Sequence, residues 1–401
     1  MYRHIPPTAV PIRFRDLLHG LRGLVSWEGT IRFQRDLAEY LQSPHCFLFS
    51  SGRAALAVVF EALHREVGRR KVVLPAYTCF SVPSAAVRAG LKVVPCDIQK
   101  ENLGMDPHAL VEVMDSSVLC VVPTHLLGVP STISPVLDQA HRSGALMIED
   151  AAQAMGVRIN GTPLGSIGDV GIFSLGRGKH LTTGSGGLAV TRSEEWAWAL
   201  NHHLALRNGN STRPDPGSLV RLAAYATFTR PQLFGMAVNL PMLHIGESIF
   251  SPSFPIGSLG PVRAEMGISL LRSLDQMNGI RRQNARRLVQ ALKGMPGIDI
   301  PSRAEEGDLP LLRVPVLIDC PDVRQQVLAH GKNLGISSLY PSPVHKIPQM
   351  KGHLILQPGG YPVSELIARE LITLPCHPFL SDADMDRIID VMLTTRRKLQ
   401  V

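Results

Sequence analysis

The residues richest in chemistry lie between 150 and 187. Lys179 stands in the glycine-lined stretch Gly176-Arg177-Gly178-Lys179-His180-Leu181-Thr182-Thr183-Gly184-Ser185-Gly186-Gly187, downstream of the acidic Asp150. A lysine amine condenses with an aldehyde to give a Schiff base. A carboxylate set against a pyridine nitrogen makes pyridoxal phosphate an effective electron sink, and Asp150 and Lys179 are the residue types such a pair requires. Other readings of the glycines fail on their own mechanics. A nucleotide P-loop needs a glycine where Phe173 stands and a Ser or Thr where His180 stands. A dinucleotide fingerprint over Gly184, Gly186 and Ala189 would precede the strand Leu188 to Thr191 rather than follow one. No HExxH or GxSxG motif occurs.

Those residues need elements to place them. From Phe47 to Arg192 short apolar runs alternate with helical patterns. Phe47-Leu48-Phe49 leads into Ser50-Ser51-Gly52, and Ala54 to Val67 reads as a helix. Lys71 to Leu74, Leu91 to Pro95, Val118 to Val122 and Ala145 to Ile148 read as strands. This repetition predicts an α/β fold, a mostly parallel sheet with helices on both faces. Ligands in such folds sit beyond the carboxyl ends of the strands, where Ser51-Gly52, His125 and Asp150 all fall.

The pattern changes after Arg207. Asn208 to Gly217 is turn-rich, and Ser218 to Phe250 is apolar but broken by Pro231 and Pro241. From Pro231 to Gly246 there is no Asp, Glu, Lys or Arg. The run is too short and too proline-broken to span a bilayer. It reads as a buried or subunit-facing segment, or else as a peripheral membrane or lipid contact through 218–250. The remainder reads as a smaller unit. Val262 to Leu292 forms one long helical pattern, Leu311 to Ile318 and Leu371 to Leu374 are strands, and a final helix aligns Met385, Ile388, Ile389 and Met392 on one face. Ser381 or Asp382 supplies its cap. Asp382, Asp384 and Asp386 lack the glycine and distal glutamate of a calcium loop, so no metal is expected. The division expected is an N-terminal arm over 1–30, a large domain over 31–250 and a small C-terminal domain over 251–401.

Composition agrees with a folded α/β chain. Of 401 residues 45% are hydrophobic and 18% charged, which excludes global disorder. The net charge of +8 favours anionic partners. No like-charge block exceeds Arg69-Arg70-Lys71, and the basic residues are not interleaved with aromatics, so nucleic acid is not an expected partner. The six cysteines form no CxxC pair, against a disulfide framework or zinc ribbon. Met1 to Arg15 carries no apolar core for a secretion signal, so a cytoplasmic location is expected.

A set of blocks in fixed order then becomes specific: Ser51-Gly52-Arg53-Ala54-Ala55-Leu56, Leu74-Pro75-Ala76-Tyr77-Thr78, Glu149-Asp150-Ala151-Ala152-Gln153-Ala154, Gly168-Asp169-Val170-Gly171-Ile172-Phe173-Ser174 and Lys179-His180-Leu181-Thr182-Thr183-Gly184. Together with Tyr340-Pro341 through His345 and Leu374-Pro375-Cys376-His377-Pro378, they resemble the DegT/StrS family of pyridoxal-phosphate-dependent sugar aminotransferases. The resemblance implies the type I fold of aspartate aminotransferase, with a large sheet domain and a smaller C-terminal α/β domain, and a homodimer. It implies that Lys179 holds the cofactor covalently and shuttles a proton, and that Asp150 keeps the pyridine nitrogen protonated. Gln153 would bond the phenolic oxygen. Ser174 and the backbone amides of Gly52 and Arg53, after Ser51 at a helix N-terminus, would take the phosphate, a place where N–H groups and dipole favour an anion.

Departures from the family pattern bear on the substrate. Cys79 stands where the family commonly has an aromatic residue against the cofactor ring, which leaves Tyr77 or Phe80 for that role. Gly184-Ser185-Gly186-Gly187 replaces Gly-Glu-Gly-Gly, and no Gly-Tyr-Asn-Tyr-Arg-like block is recognisable near Phe254 to Arg263. Related dehydratases carry histidine in place of the lysine, so Lys179 favours amino transfer. His180 and His345 are candidate substrate contacts, whereas His377 reads as structural. The function expected is transfer of an amino group from a small-molecule donor, L-glutamate, to a ketone on a nucleotide-linked sugar. Alternatives are a lipid-linked or other amphiphilic ketone, and a cofactor-binding regulatory subunit without turnover.

Overall fold

The computed structural model describes residues 3–207, 216–238, 249–306 and 308–397. Most of the turn-rich stretch 208–217 and the centre of the apolar run 218–250 lie outside the described residues. Seven strands form the main sheet: β1 (His45–Phe49), β2 (Lys71–Pro75), β3 (Lys92–Cys96), β4 (Val118–Val121), β5 (Leu146–Asp150), β8 (Val170–Ser174) and β9 (Gly187–Thr191). A two-stranded hairpin, β6 (Arg158–Ile159) and β7 (Thr162–Pro163), intervenes. The sheet order is β1-β9-β8-β5-β4-β2-β3. Neighbours β3, β2, β4, β5 and β8 pair in parallel, and β9 alone runs antiparallel to both β8 and β1. The strands are near-continuous apolar runs, with β4 and β9 buried throughout, because helices cover both faces. The motif Gly168 to Ser174 thus contains a core strand, which its glycines had obscured.

Two apolar clusters flank this sheet. One centres on the helix Gly52–Val67, whose Ala54, Ala55, Val58, Val59 and Phe60 are buried beneath Ile148, Ile172 and Ala189. The other gathers Phe33, Leu37, Phe173, Leu188, Ala264 and Met266. The pattern Val262 to Leu292 is two helices, Pro261–Leu271 and Leu274–Leu292. They part at Ser273, whose hydroxyl bonds the Leu270 carbonyl at 3.0 Å and competes with the helical ladder. The first of the two packs under the large sheet, with Gly267 against the Phe33 ring. The expected division at 250 therefore cuts a region that shares one core.

The smaller sheet is antiparallel, in the order β10 (Ile298–Asp299), β11 (Arg313–Ile318), β12 (Leu371–Pro375). Leu288, Val289 and Leu292 cover it together with Met385, Ile388 and Met392 of the last helix. That helix starts as the spacing predicts: the Asp384 amide donates to Ser381 Oγ, and Asp384 Oδ2 accepts from the Ser381 amide. Asp382 and Asp386 pair with Arg287 and Asp384 with Arg3, so these acids tie elements together. The N-terminal segment joins the two units. Ile5 lies in the small-unit core, and the helix Phe14–Arg22 packs on Pro261–Leu271.

Candidate active site

The carboxyl ends of β1, β2, β4, β5 and β8 lie along one edge, and the chemistry collects there. β5 ends on Asp150, a buried carboxylate that accepts the Ala152 amide at 3.1 Å. Burial raises its pKa; the Ala152 amide, the charge of Lys179 and the Thr124 hydroxyl pull it back only in part. Lys179 sits in the turn after β8, with its amide on the Gly176 carbonyl at 3.4 Å. Burial lowers its pKa, as does the charge of Arg313, against the opposing pull of Cys79 and Asp150. The turn requires glycine at 178, where φ is +73° and a Cβ would lie 2.2 Å from Thr8 Oγ1.

A second feature is the N-terminus of the helix Gly52–Val67. Ser51 caps it, its hydroxyl accepting the Ala54 amide at 3.1 Å. The Gly52 and Arg53 amides belong to the first turn, which has no intrahelical acceptors. Gly52 faces Ser174 so closely that a Cβ would meet Ser174 Oγ at 3.3 Å. The Arg53 side chain turns away, onto the Phe254 ring and the Ser251 carbonyl. Backbone amides, a hydroxyl and a helix dipole thus converge at one point.

Tyr340 organises the far side. Tyr77, buried, accepts the Tyr340 amide at 3.1 Å and donates to its carbonyl at 3.3 Å. Burial pushes the Tyr77 phenol up to about 12. The Phe80 ring stacks on Tyr340 at 6.4 Å. Gln153 Nε2 donates to the Tyr340 hydroxyl at 2.8 Å, and its Oε1 accepts the Leu127 amide at 2.9 Å. Tyr77, Phe80 and Gln153 are therefore all engaged with Tyr340 or its surroundings, while Cys79 stands within electrostatic reach of Lys179 and Tyr340.

Arg313 went unread in the sequence, and so did the pairing of His125 with Glu149. Arg313 opens β11, with Nη2 on Ser337 Oγ and Nε buried without a partner. Burial pulls its pKa down to about 10. Its only sequence signal is that it is the lone charge at the head of an apolar strand. His125 and Glu149 form a fully buried pair, Nε2 to Oε1 at 2.8 Å. His125 Nδ1 accepts the Ser131 amide, which fixes the Nε2–H tautomer. Burial works to raise the Glu149 carboxyl, but His125 and the amides of Gly165 and Gly168 outweigh it and hold it low. The His125 amide bonds the Asp150 carbonyl at 3.0 Å, so this pair braces the end of β5.

His180 corrects an expectation. It is buried and turned from the site, its Nε2 donating to the Pro310 carbonyl at 2.7 Å, and burial lowers its pKa to about 3. Lys179 lies within electrostatic reach of Asp150 and Cys79, whereas its neighbour is held on the Pro310 carbonyl. His345 bonds Glu365 at 3.0 Å and lies on the Tyr361 ring. His377 is buried on the Pro6 carbonyl, a structural residue as expected. Among the described residues no group of three or more His, Cys, Asp or Glu could hold a metal ion.

Pyridoxal phosphate fits these residues. The undercompensated Asp150 carboxylate suits a cationic ring nitrogen, the amine of Lys179 a carbonyl carbon, and the Gly52–Ser174 cradle a phosphate. A model of the DegT/DnrJ/EryC1/StrS aminotransferase family matches residues 22–219 and 257–393. The match resumes at 257, so most of the stretch near Phe254 to Arg263 that had no recognisable block lies inside it. The L-glutamine:2-deoxy-scyllo-inosose aminotransferase of Streptoalloteichus tenebrarius is 33% identical over 66% of this chain and 56% of its own. The dTDP-3-amino-3,4,6-trideoxy-alpha-D-glucose transaminase of Streptomyces venezuelae is 27% identical over 90% of this chain and 85% of its own. The solved structure of S. venezuelae DesV in complex with a ketimine intermediate superposes with a TM-score of 0.75 at 25% identity, covering 96% of this chain and 95% of that one. On these grounds the chain belongs to the DegT/DnrJ/EryC1/StrS family and is a pyridoxal-phosphate-dependent aminotransferase of the type I fold.

Proposed function

We propose that the enzyme takes its amino group from an α-amino acid of the glutamate type and delivers it to a ketone on a nucleotide-linked sugar. The observation that carries the donor half is Arg313. A buried guanidinium with an unpaired Nε, close enough to lower the Lys179 pKa, suits a carboxylate. L-Glutamate and L-glutamine both present one. The acceptor half rests on the family, on a relative whose name specifies a dTDP-linked sugar, and on the net charge of +8, which suits an anionic nucleotide.

When bound, pyridoxal phosphate supplies the electron sink for exchanging an amino group. The protein's share is positioning and proton handling. The Gly52 and Arg53 amides and Ser174 anchor an anion, and Asp150 holds the proton on the ring nitrogen. Lys179, with its pKa lowered, moves a proton to and from the substrate carbon. Tyr340 and Gln153 form a bonded wall beside them.

The test is the visible spectrum of the purified enzyme. A cofactor band that bleaches on adding L-glutamate or L-glutamine, and returns with a nucleotide-linked keto-sugar, is the expected result. A band that no α-amino acid alters would refute the donor assignment. No band after reconstitution, with Lys179→Ala behaving like the parent, would refute the role of Lys179.

A further inference from the structure

The family match leaves out residues 1–21 and 220–256, and in this structure the described parts of these two stretches meet. The His4 amide bonds the Pro231 carbonyl at 2.9 Å, and the His4 ring sits edge-on to Phe234 at 5.4 Å. Gly20 lies against Leu219, the residue just before the second stretch, so closely that a Cβ would be 2.9 Å from Leu219 Cδ2.

The helices on either side of this contact are amphipathic in an inverted sense. Phe14–Arg22 buries Asp16 and Gly20 and presents Phe14, Leu18 and Leu21 outward, with Phe14 74% exposed. Pro216–Phe228 buries Ser218, Leu222 and Ala226 and presents Val220, Ala224 and Phe228 outward, with Val220 71% exposed. Val25 and Met236 extend the exposed apolar surface. The spacings i, i+4 and i+7 or i+8 make each set a single stripe.

Charge selects the occupant. Arg13, Arg15, Arg22, Arg221 and Arg230 are exposed on the same two stretches. Across 3–25 and 216–238 the sole acidic residue is Asp16, which is buried and bonded to Ser269 Oγ and the Arg13 amide. We propose that this composite face docks the enzyme on an anionic lipid surface, the apolar stripes entering the headgroup boundary and the arginines meeting lipid phosphates. A second copy of the chain is a poorer match, because a two-fold contact would set arginines against arginines. Among the described residues no helix is long and apolar enough to cross a membrane, so the contact is peripheral.

The docking face also reaches the site. Tyr225, on the inner side of Pro216–Phe228, accepts the Gly178 amide at 3.1 Å, next to Lys179. Leu222 lies against Gly184 at the far end of the same turn. A membrane bound here would lie just outside the helix that covers the lysine turn. The inference does not depend on which acceptor the enzyme uses.

The test is co-sedimentation of the full-length, cofactor-loaded enzyme with vesicles of phosphatidylcholine containing about a third phosphatidylglycerol, against pure phosphatidylcholine. The expected result is binding to the anionic vesicles only, lost in high salt. The pairs L18S/L21S and V220S/F228S should each weaken it at least about tenfold, as should R13Q/R15Q. Circular dichroism and the visible band would verify that each variant is folded, and light scattering would give its mass in solution. Absence of binding at low salt would overturn the proposal. So would binding that both apolar pairs leave intact, or a fall in the mass of folded variants, which would mark the face as a subunit contact.

Discussion

A buried ionisable group is informative when its burial is only partly compensated, and this protein holds two kinds. Asp150 and Arg313 face the site and await partners; His180 and His377 are sealed, each spending its Nε2 proton on a backbone carbonyl. The sealed pair makes a pH prediction. Each imidazole has its pKa lowered from 6.5 to about 3 in the fold, chiefly by burial. Between those values the unfolded chain binds more protons than the folded one, so stability falls as pH falls through that window. The slope is about 1.4 kcal/mol per pH unit for each residue. Urea midpoints at pH 7 and pH 5 should differ less in H180Q and H377Q than in the parent, since glutamine keeps the bond to carbonyl and does not titrate. The open pair makes a kinetic one. Arg313→Gln should raise KM for the amino donor at least about tenfold, change kcat at saturating donor less, and leave KM for the acceptor unchanged. Lys179 and Asp150 were legible because each lies inside a contiguous motif. Arg313 was not, since it comes to the site from the small unit and lies in none of the recognised blocks; Tyr340 stood in one, but its bonds to Tyr77 and Gln153 depend on the fold. His180 misled because adjacency to a reactive lysine says nothing about which way a side chain turns.

At the scale of elements, alternation of apolar runs and helical patterns was enough to foresee the main sheet and the helix Gly52–Val67. Periodicity alone could not reveal the break at Ser273 or assign Pro261–Leu271 to the large sheet, because both depend on what the helix packs against. The apolar character of Ser218 to Phe228 was equally visible, but which residues face inward was not. The inward ones hold the lysine turn. Tyr225→Phe removes the acceptor for the Gly178 amide and keeps the ring, a loss of about 1 kcal/mol of local stability. The expected result is faster amide exchange at Gly178 and Lys179 and a several-fold fall in kcat, with the visible band retained. Unchanged exchange would show that the glycine turn holds itself.

Across the whole molecule, catalysis needs β11 of the small unit held at a fixed distance from β5 and β8 of the large one, and a shared core sets Leu317 and Leu371 against Tyr77, Leu126 and Leu127. Arg281 adds a polar tie to that join. It is fully buried on the helix Leu274–Leu292, which itself belongs to both units, and donates to the Ala9 carbonyl at 2.8 Å and the Leu312 carbonyl at 3.4 Å. One side chain thus fixes the N-terminal segment and the residue before Arg313. His180 and His377 lie within reach of the same charge, and their bonds to Pro310 and Pro6 reinforce the same two segments. Burial lowers the Arg281 pKa, and among the described residues no carboxylate pairs with it. An apolar replacement of similar length removes the cost of a buried charge but leaves two interior carbonyls unpaired, at about 1–3 kcal/mol each. The carbonyl penalty should dominate, because neither segment can turn to water without leaving its core. Arg281→Met should therefore lower the Tm, and limited proteolysis should cut first within residues 3–12. It should also raise donor KM in the manner of Arg313→Gln, although Arg281 touches no reacting group. If Arg281→Met lowers the Tm and leaves donor KM alone, the join is a matter of stability only, and the placement of Arg313 is secured within the small unit itself.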